Sequence, residues 1–335
     1  MTNRKLRNEA VQGRARSASR NLALGVVALA AAIAVAACGS SSSTTSTSSS
    51  ASGGSSTQTG GAAQSYTVTV DGQKITTDPK LAAEVPAKVR QQGALTDITY
   101  NNAPPDESIV GGKLVGWEVD LGQAVAAELG LKWQPTASGS FDSFIPGLQN
   151  GRFNTSFTSF IQTPARLKQI DIVTYYNVGT GFAVKKGSSL TISKPTDVCG
   201  HSVAVIEGSA FIQQIQGIKC KAAGKPAANV QSFPSDSAAE LAVSSGRSQI
   251  YSSSEDQLSF LIQQTAHQFV LQPLDFEPVP EGVGVTKGIG LAKPTADAMD
   301  ALISSGAYSA IMKKWSITGN GLVGKATVYS DDNGA

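Results

Sequence analysis

The side chains that most often carry enzyme chemistry are sparse and scattered in this sequence. It has two histidines, His201 and His267, and neither has a cysteine, aspartate or glutamate at a spacing typical of metal ligands. There is no G-x-S-x-G motif, no P-loop and no H-E-x-x-H pair. We therefore expect no catalytic residue, no metal and no cofactor, and we interpret both histidines as solvated surface residues.

Short strand-like runs alternate with helical patterns from Leu95 onward, which predicts an α/β fold with parallel strands and crossover helices. One helix is indicated by apolar residues at every fourth position from Trp117 to Leu129, ending at Gly130. The pair of glycines around Val283 lacks the third glycine and the capped helix of a dinucleotide loop. We interpret it as a turn or hinge.

The stretch from Leu114 to Val184 and the segments after it contain a series of short characteristic blocks. They are LVGWEVDL (114–121), FDSFIPGLQNGR (141–152), TPAR (163–166), DI (171–172), CGHSVAV (199–205), GS (208–209), SGR (245–247), GAY (306–308) and KW (314–315). In this order they resemble the family 3 extracellular solute-binding proteins, the substrate receptors of polar amino-acid ABC importers. The resemblance covers nearly all of residues 80–317.

The resemblance implies a type II periplasmic-binding fold, in which two α/β lobes are joined by two hinge strands and enclose a ligand cleft. We expect one lobe to comprise residues 66–182 plus 284–317, and the other to comprise residues 183–283. The chain would cross between the lobes near Phe182 and Val283. Residues 318–335, rich in Gly, Ser, Thr and Asp, are predicted to form a flexible tail.

The resemblance also implies a set of ligand contacts. Arg166 stands where the family places the arginine that grips the ligand carboxylate, a task suited to the planar guanidinium; the alternative is a surface arginine. Gly208 and Ser209 match a turn that reaches the same carboxylate, or they simply start a helix. Phe141 matches an apolar wall, although a core residue would look the same. The remaining expected contacts are Ser159, Ile161 and Asn102.

One position departs from the family pattern in a way that bears on the ligand. Counting from Gly246, the aspartate that binds the ligand ammonium should fall at position 254, which is Ser254. A neutral hydroxyl replaces a carboxylate poorly beside a buried cation. The ligand therefore either lacks a free α-ammonium or presents it to Glu255 or Asp256 through a locally shifted strand.

The N-terminal residues have the layout of a bacterial export signal. Six basic residues precede an apolar run from Leu22 to Ala37, which is short for a membrane span. The run ends at Cys38 in a sequence that resembles a lipobox, so we predict a signal peptide over 1–37 and a lipidated Cys38. The alternative is a chance cysteine after a membrane helix. Residues 38–65 are mostly Ser, Thr, Gly and Ala, typical of a flexible tether.

Removal of the signal changes both the charge and the cysteine count. The signal holds six of the 27 basic and one of the 25 acidic residues, which leaves 21 basic against 24 acidic residues. A nucleic-acid partner is therefore not expected. Cys199 and Cys220 then form an even pair in a chain sent to an oxidising compartment, which favours a disulfide over two free thiols.

Together these features predict a lipid-anchored binding protein outside the cytoplasm that passes a small carboxylate-bearing solute to an ABC transporter permease. An enzyme on the same fold, such as a dehydratase, would need a cleft acid of raised pKa, for which Glu207 is the candidate. The third possibility is a sensor or cell-envelope binding module that kept the fold without transport.

Overall fold

The computed structural model describes residues 65–266, 268–274, 278–317 and 321–331. The predicted signal peptide, Cys38 and His267 lie outside these residues, as does the predicted tether except for Ser65. No helix in the described part of the chain is long and apolar enough to cross a membrane.

Strands and helices occur throughout the described chain. The strands are β1 (Thr67–Val70), β2 (Gln73–Thr76), β3 (Ala94–Tyr100), β4 (Asn102–Ala103), β5 (Glu107–Val110), β6 (Lys113–Val115), β7 (Lys132–Ser138), β8 (Thr155–Ile161), β9 (Ile170–Val178), β10 (Thr180–Lys185), β11 (Ser202–Ile206), β12 (Asn229–Phe233), β13 (Ile250–Ser254), β14 (Phe269–Leu271), β15 (Val279–Thr286) and β16 (Val328–Tyr329). The helices are α1 (Pro79–Glu84), α2 (Ala87–Gln92), α3 (Trp117–Glu128), α4 (Phe144–Gln149), α5 (Pro164–Leu167), α6 (Phe211–Gln216), α7 (Asp236–Ser244), α8 (Glu255–Gln264), α9 (Ala292–Ser305) and α10 (Ala307–Lys314).

The first lobe is built on a sheet with strand order β16-β9-β15-β8-β3-β7. Strands β3, β7 and β8 run parallel, whereas β15 is antiparallel to both neighbours. Helix α3 covers this sheet through the buried Trp117, Leu121 and Val125, and it ends before Gly130, whose φ is +66°. The helix that the sequence pattern predicted is confirmed.

The second lobe is built on a sheet with strand order β12-β11-β13-β10-β14. Strand β11 runs parallel to β12 and β13, and β10 runs antiparallel to β13 and β14. Helices α7 and α8 pack on it through small and aliphatic side chains such as Ala239 and Leu258. The predicted α/β class with a sheet in each of two lobes is thus present.

The chain crosses between the sheets twice, a few residues away from the predicted positions. Strand β9 ends at Val178 in the first sheet and β10 begins at Thr180 in the second, so Phe182 already lies in the second sheet. The return lies between Leu271 and Val279. Helices α9 and α10 then pack against the first lobe, as expected.

The glycines flanking Val283 do not form the turn that was one of the two alternatives; they lie inside β15, the strand that follows the return between the sheets. A Cβ on Gly282 would lie 2.0 Å from the carbonyl oxygen of Val173 in the neighbouring strand β9. A glycine is needed there because the two backbones approach each other closely at a shift in register. The pattern reflects packing within a sheet.

The predicted disulfide is present: Cys199 and Cys220 are bonded, with their Cα atoms 5.6 Å apart. It joins the turn before β11 to the segment after α6. The disulfide therefore closes a loop that contains β11 and α6.

The prediction of a flexible tail over 318–335 is wrong for residues 321–331. Val328 and Tyr329 form β16, which pairs with β9 at the edge of the first sheet. The backbone N–H of Ala326 also donates to Asp300 Oδ1 on α9 at 2.7 Å. Backbone pairing and a side-chain acceptor hold this segment, and its polar composition concealed both.

Candidate ligand-binding site

A cavity lies between the two lobes and takes its walls from both. Six of the eight predicted ligand contacts line it: Phe141, Ser159, Ile161, Arg166, Ser209 and Ser254. The structure therefore brings together residues that are up to 113 positions apart in the sequence.

Arg166 projects into the cavity from α5, directly after β8. The N-cap Thr163 accepts a hydrogen bond from the Arg166 backbone N–H. Its guanidinium donates from Nη1 to the carbonyl of Ile161 at 2.9 Å and from Nη2 to the carbonyl of Gly208 in the second lobe at 3.1 Å. Burial lowers the pKa of the guanidinium to about 10, so the group stays charged near neutral pH.

Two serine hydroxyls of the second lobe face the cavity without partners. Ser209 Oγ and Ser254 Oγ are both buried, and neither makes a hydrogen bond within the described residues. Buried hydroxyls are normally bonded, so both are available to a molecule in the cavity. Gly208 does not line the cavity; its φ of +77° turns its carbonyl toward Arg166.

The aromatic side of the cavity is formed by Phe141 and by Tyr100, which the sequence analysis missed. Their rings meet edge to face with centroids 6.4 Å apart. The Arg166 guanidinium carbon lies 5.5 Å from the Phe141 ring centroid and 5.2 Å from that of Phe160. These rings hold the guanidinium in place by cation–π attraction and exclude water around it.

Ser159 lines the cavity in a left-handed conformation, with φ of +48°. Its backbone N–H and its hydroxyl both donate to Glu118 Oε1, at 2.7 and 2.8 Å. Tyr175 donates to the same oxygen. A non-glycine residue in this region is held by its surroundings, and here the buried Glu118 holds it.

Several residues considered from the sequence lie outside the cavity. Asn102 donates from Nδ2 to Ser237 Oγ at 2.9 Å and lines a neighbouring cavity. Glu255 and Asp256 line a separate groove, and β13 pairs with β10 in unbroken register up to Ser254. The strand shift, one of the two alternatives considered for the ligand ammonium, is therefore absent. Glu207 is exposed and does not line the cavity.

Three acidic side chains contribute to the cavity wall, and none of them was anticipated. Glu107, Asp236 and Glu281 all line it, and each is at least nine-tenths buried. Thr158 donates to Glu107 Oε1 at 2.5 Å, and the Tyr251 hydroxyl donates to Asp236 Oδ1 at 2.5 Å. A charged residue within the apolar strand β15 was a signal for Glu281.

Burial dominates the electrostatics of these acids. It raises the pKa of Asp236 to about 6. It raises the pKa of Glu107 well above the ordinary value, with the neighbouring Glu118 adding to the rise. The pKa of Glu281 is raised by burial and then by the charges of Asp256 and Glu118, while Arg166 opposes the rise. Within the described chain, no three His, Cys, Asp or Glu residues are grouped as metal ligands.

Comparison with known proteins identifies the family of this chain. The model of the bacterial extracellular solute-binding proteins, family 3, matches residues 95–318. The chain belongs to this family. The Arginine-binding protein ArgT of Corynebacterium glutamicum is 25% identical over 254 residues, covering 75% of this chain and 83% of ArgT. The L-cystine-binding protein TcyJ of Escherichia coli is 27% identical over 240 residues, covering 68% of this chain and 84% of TcyJ.

Solved structures of amino-acid-binding proteins share the fold. An ancestral arginine-binding protein bound to arginine superposes with a TM-score of 0.61 at 28% identity, covering 67% of this chain and 98% of that chain. The type II periplasmic-binding fold is therefore confirmed, with two lobes that each contain a β-sheet.

Proposed function

We propose that this chain is the substrate-binding component of an ABC importer and captures a small carboxylate-bearing solute, an amino acid or a derivative of one. The observation that supports this most directly is the buried, charged Arg166 in a cavity between two lobes. A ligand carboxylate can accept two parallel charge-assisted bonds from such a guanidinium. The family of ArgT and TcyJ is consistent with this kind of ligand.

Capture would proceed by closure of the second lobe on the first. The carboxylate meets Arg166 in the first lobe, and closure then brings Ser209 Oγ and Ser254 Oγ of the second lobe to the ligand. In the closed form Arg166 reaches the carbonyl of Gly208 across the lobes. Closure excludes water, which strengthens each of these polar interactions.

A thermal-shift screen of the protein without its predicted signal tests the proposal. The panel contains L-amino acids, their N-acetyl and deaminated forms, and simple organic acids. Stabilisation by a carboxylate without turnover supports a binding protein. If no carboxylate stabilises the protein, the proposal is wrong and a binding module for another class of molecule takes its place.

The same screen tests a dehydratase on this fold. That alternative needs an acid of raised pKa in the cleft, and Glu281 and Asp236 meet the requirement that was assigned to the exposed Glu207. Analysis of the ligands after incubation reveals turnover. Formation of a dehydrated product would replace the transport proposal with a catalytic one.

We also propose that Cys38 carries a diacylglyceryl anchor that keeps the protein at the outer face of the membrane beside its permease. Two acyl chains are enough for stable residence. Cys38→Ser should release the protein into the soluble extracellular fraction. An uncleaved Ser variant that stays in the membrane would favour the alternative of an N-terminal membrane helix.

A further inference from the structure

Glu281 stands apart from the other acids of the cavity because it has no hydrogen-bond donor within the described residues. It is only 2% exposed. Glu107 is bonded by Thr158, and Asp236 is bonded by Tyr251. An ionised carboxylate without a hydrogen-bond donor is costly to bury, so a ligand that brings a cation or a donor to Glu281 would stabilise its charged form.

The position of Glu281 is fixed by the sheet. It lies on β15, where its backbone pairs with Ile161 of β8. Directly opposed residues on neighbouring strands place their side chains side by side on one face, and both residues line the cavity. The carbonyl of Ile161 in turn accepts a bond from Arg166. The carboxylate of Glu281 therefore lies beside the guanidinium that we assign to the ligand carboxylate.

Arg166 and Glu281 nonetheless do not form an ion pair. No nitrogen of Arg166 lies within 4.0 Å of a carboxylate oxygen of Glu281 among the described contacts, although each side chain alters the pKa of the other through its charge. A guanidinium and a carboxyl group that line one cavity without touching match the two ends of an amino-acid zwitterion. A molecule between them would satisfy both.

We infer that Glu281 is the counter-charge for the α-ammonium of the ligand, and that the ligand is an amino acid with a free amino group. This inference rests on the proposed function. It accounts for the neutral Ser254 at the position where a carboxylate was expected, because the negative charge comes from the other lobe. Ser254 Oγ then serves as an additional hydrogen-bonding group.

The test compares free L-amino acids with their N-acetyl forms, which keep the carboxylate and lose the charge on nitrogen. Titration calorimetry on the unaltered protein should show a preference for the free form. Glu281→Gln should weaken binding of the free form by about 30-fold or more and change binding of the N-acetyl form little. It should also raise the melting temperature of the ligand-free protein, because a buried unpaired acid is replaced by a neutral amide. Glu207→Gln, at an exposed position that does not line the cavity, is the matched control.

The outcomes separate the inference from the proposed function. Equal binding of free and N-acetyl forms by the unaltered protein would overturn the inference without needing any variant. So would a Glu281→Gln protein that binds free amino acids normally or loses both forms equally. In these cases carboxylate binding, and with it the proposed function, survives. Failure of the unaltered protein to bind any carboxylate would overturn both.

Discussion

Gln257, at the start of α8 in the second lobe, donates a hydrogen bond from Nε2 to Asp106 Oδ2 in the first lobe at 2.7 Å. The other oxygen of Asp106 accepts from Trp117 Nε1 at 2.7 Å. The Gln257 amide is held in orientation by Ser253, whose hydroxyl donates to Gln257 Oε1 at 2.5 Å. A buried carboxylate of one lobe therefore receives its donors from both lobes only when they are closed together.

Gln257→Ala should weaken ligand binding by about tenfold, because the closed form loses a buried hydrogen bond worth about 1.5 kcal/mol. Ligand-free stability should change less, since the open form does not make this bond. Calorimetry gives the affinity, and small-angle scattering gives the ligand-induced compaction. Gln264→Ala, an exposed position on the same helix, is the control and should bind normally.

Arg166→Ala should remove most of the affinity for any carboxylate ligand, by about 2 to 5 kcal/mol, because the carboxylate would be desolvated without a counter-charge. Arg152→Ala is a matched control: that guanidinium lies 5.2 Å from the Phe153 ring centroid but is exposed. Calorimetric titration measures both. Unchanged affinity of the Arg166 variant would mean that the ligand binds elsewhere.

Asp256→Asn should raise ligand affinity, and the gain should grow as the pH increases. Burial, followed by the charge of Asp256 across the lobe boundary, raises the pKa of Asp106 well above its ordinary value in the closed form. An acid whose pKa is higher in the closed form than in the open form favours closure at low pH, where it is protonated, and opposes closure as the pH rises. Removing the charge of Asp256 relieves this opposition.

Ligand-binding titrations of the Asp256→Asn protein between about pH 5 and pH 8 measure whether the gain in affinity grows with pH. Glu207→Gln is the control. The two titration curves should converge toward the acid end, where Asp106 is protonated in both proteins. A constant difference across the range would show that the two carboxyl groups do not interact on closure.

Asp236→Asn should stabilise the protein at pH 7 and not at pH 4. Burial raises the pKa of Asp236 to about 6, so ionisation of this acid costs stability as the pH rises from about 4 through 6. The gain at pH 7 should be about 1 to 3 kcal/mol, and the amide oxygen can still accept from Tyr251. Urea unfolding at the two pH values measures it, and an equal gain at both would contradict the assignment.

The position of Asp236 in the cavity wall could not be predicted from the sequence, whereas that of Arg166 could. Arg166 and Ser209 each belong to a short characteristic sequence block, TPAR and GS, so a local pattern was enough to find them. Asp236 looks like an ordinary helix start after the cap Ser235, and its role depends on a cavity formed with Tyr100 of the other lobe. No local pattern records a contact of that kind.

The same limit explains the errors in the fold. The α/β class and helix α3 follow from local hydrophobic periodicity, and the disulfide follows from the even cysteine count. The tail and the glycines around Val283 were misread because their structure depends on the neighbouring strand β9. Backbone pairing with a distant strand leaves little trace in composition.

Strand β16 and hairpin β1–β2 place both ends of the described chain in the first lobe, and the second lobe is an insertion between β9 and β15. A mechanical load applied to the two ends would therefore pass through the first lobe alone. The two-residue pairing of β16 would detach first, at the edge of the sheet. The second lobe, whose loop between Cys199 and Cys220 is covalently closed, would come under tension only after the first had unravelled.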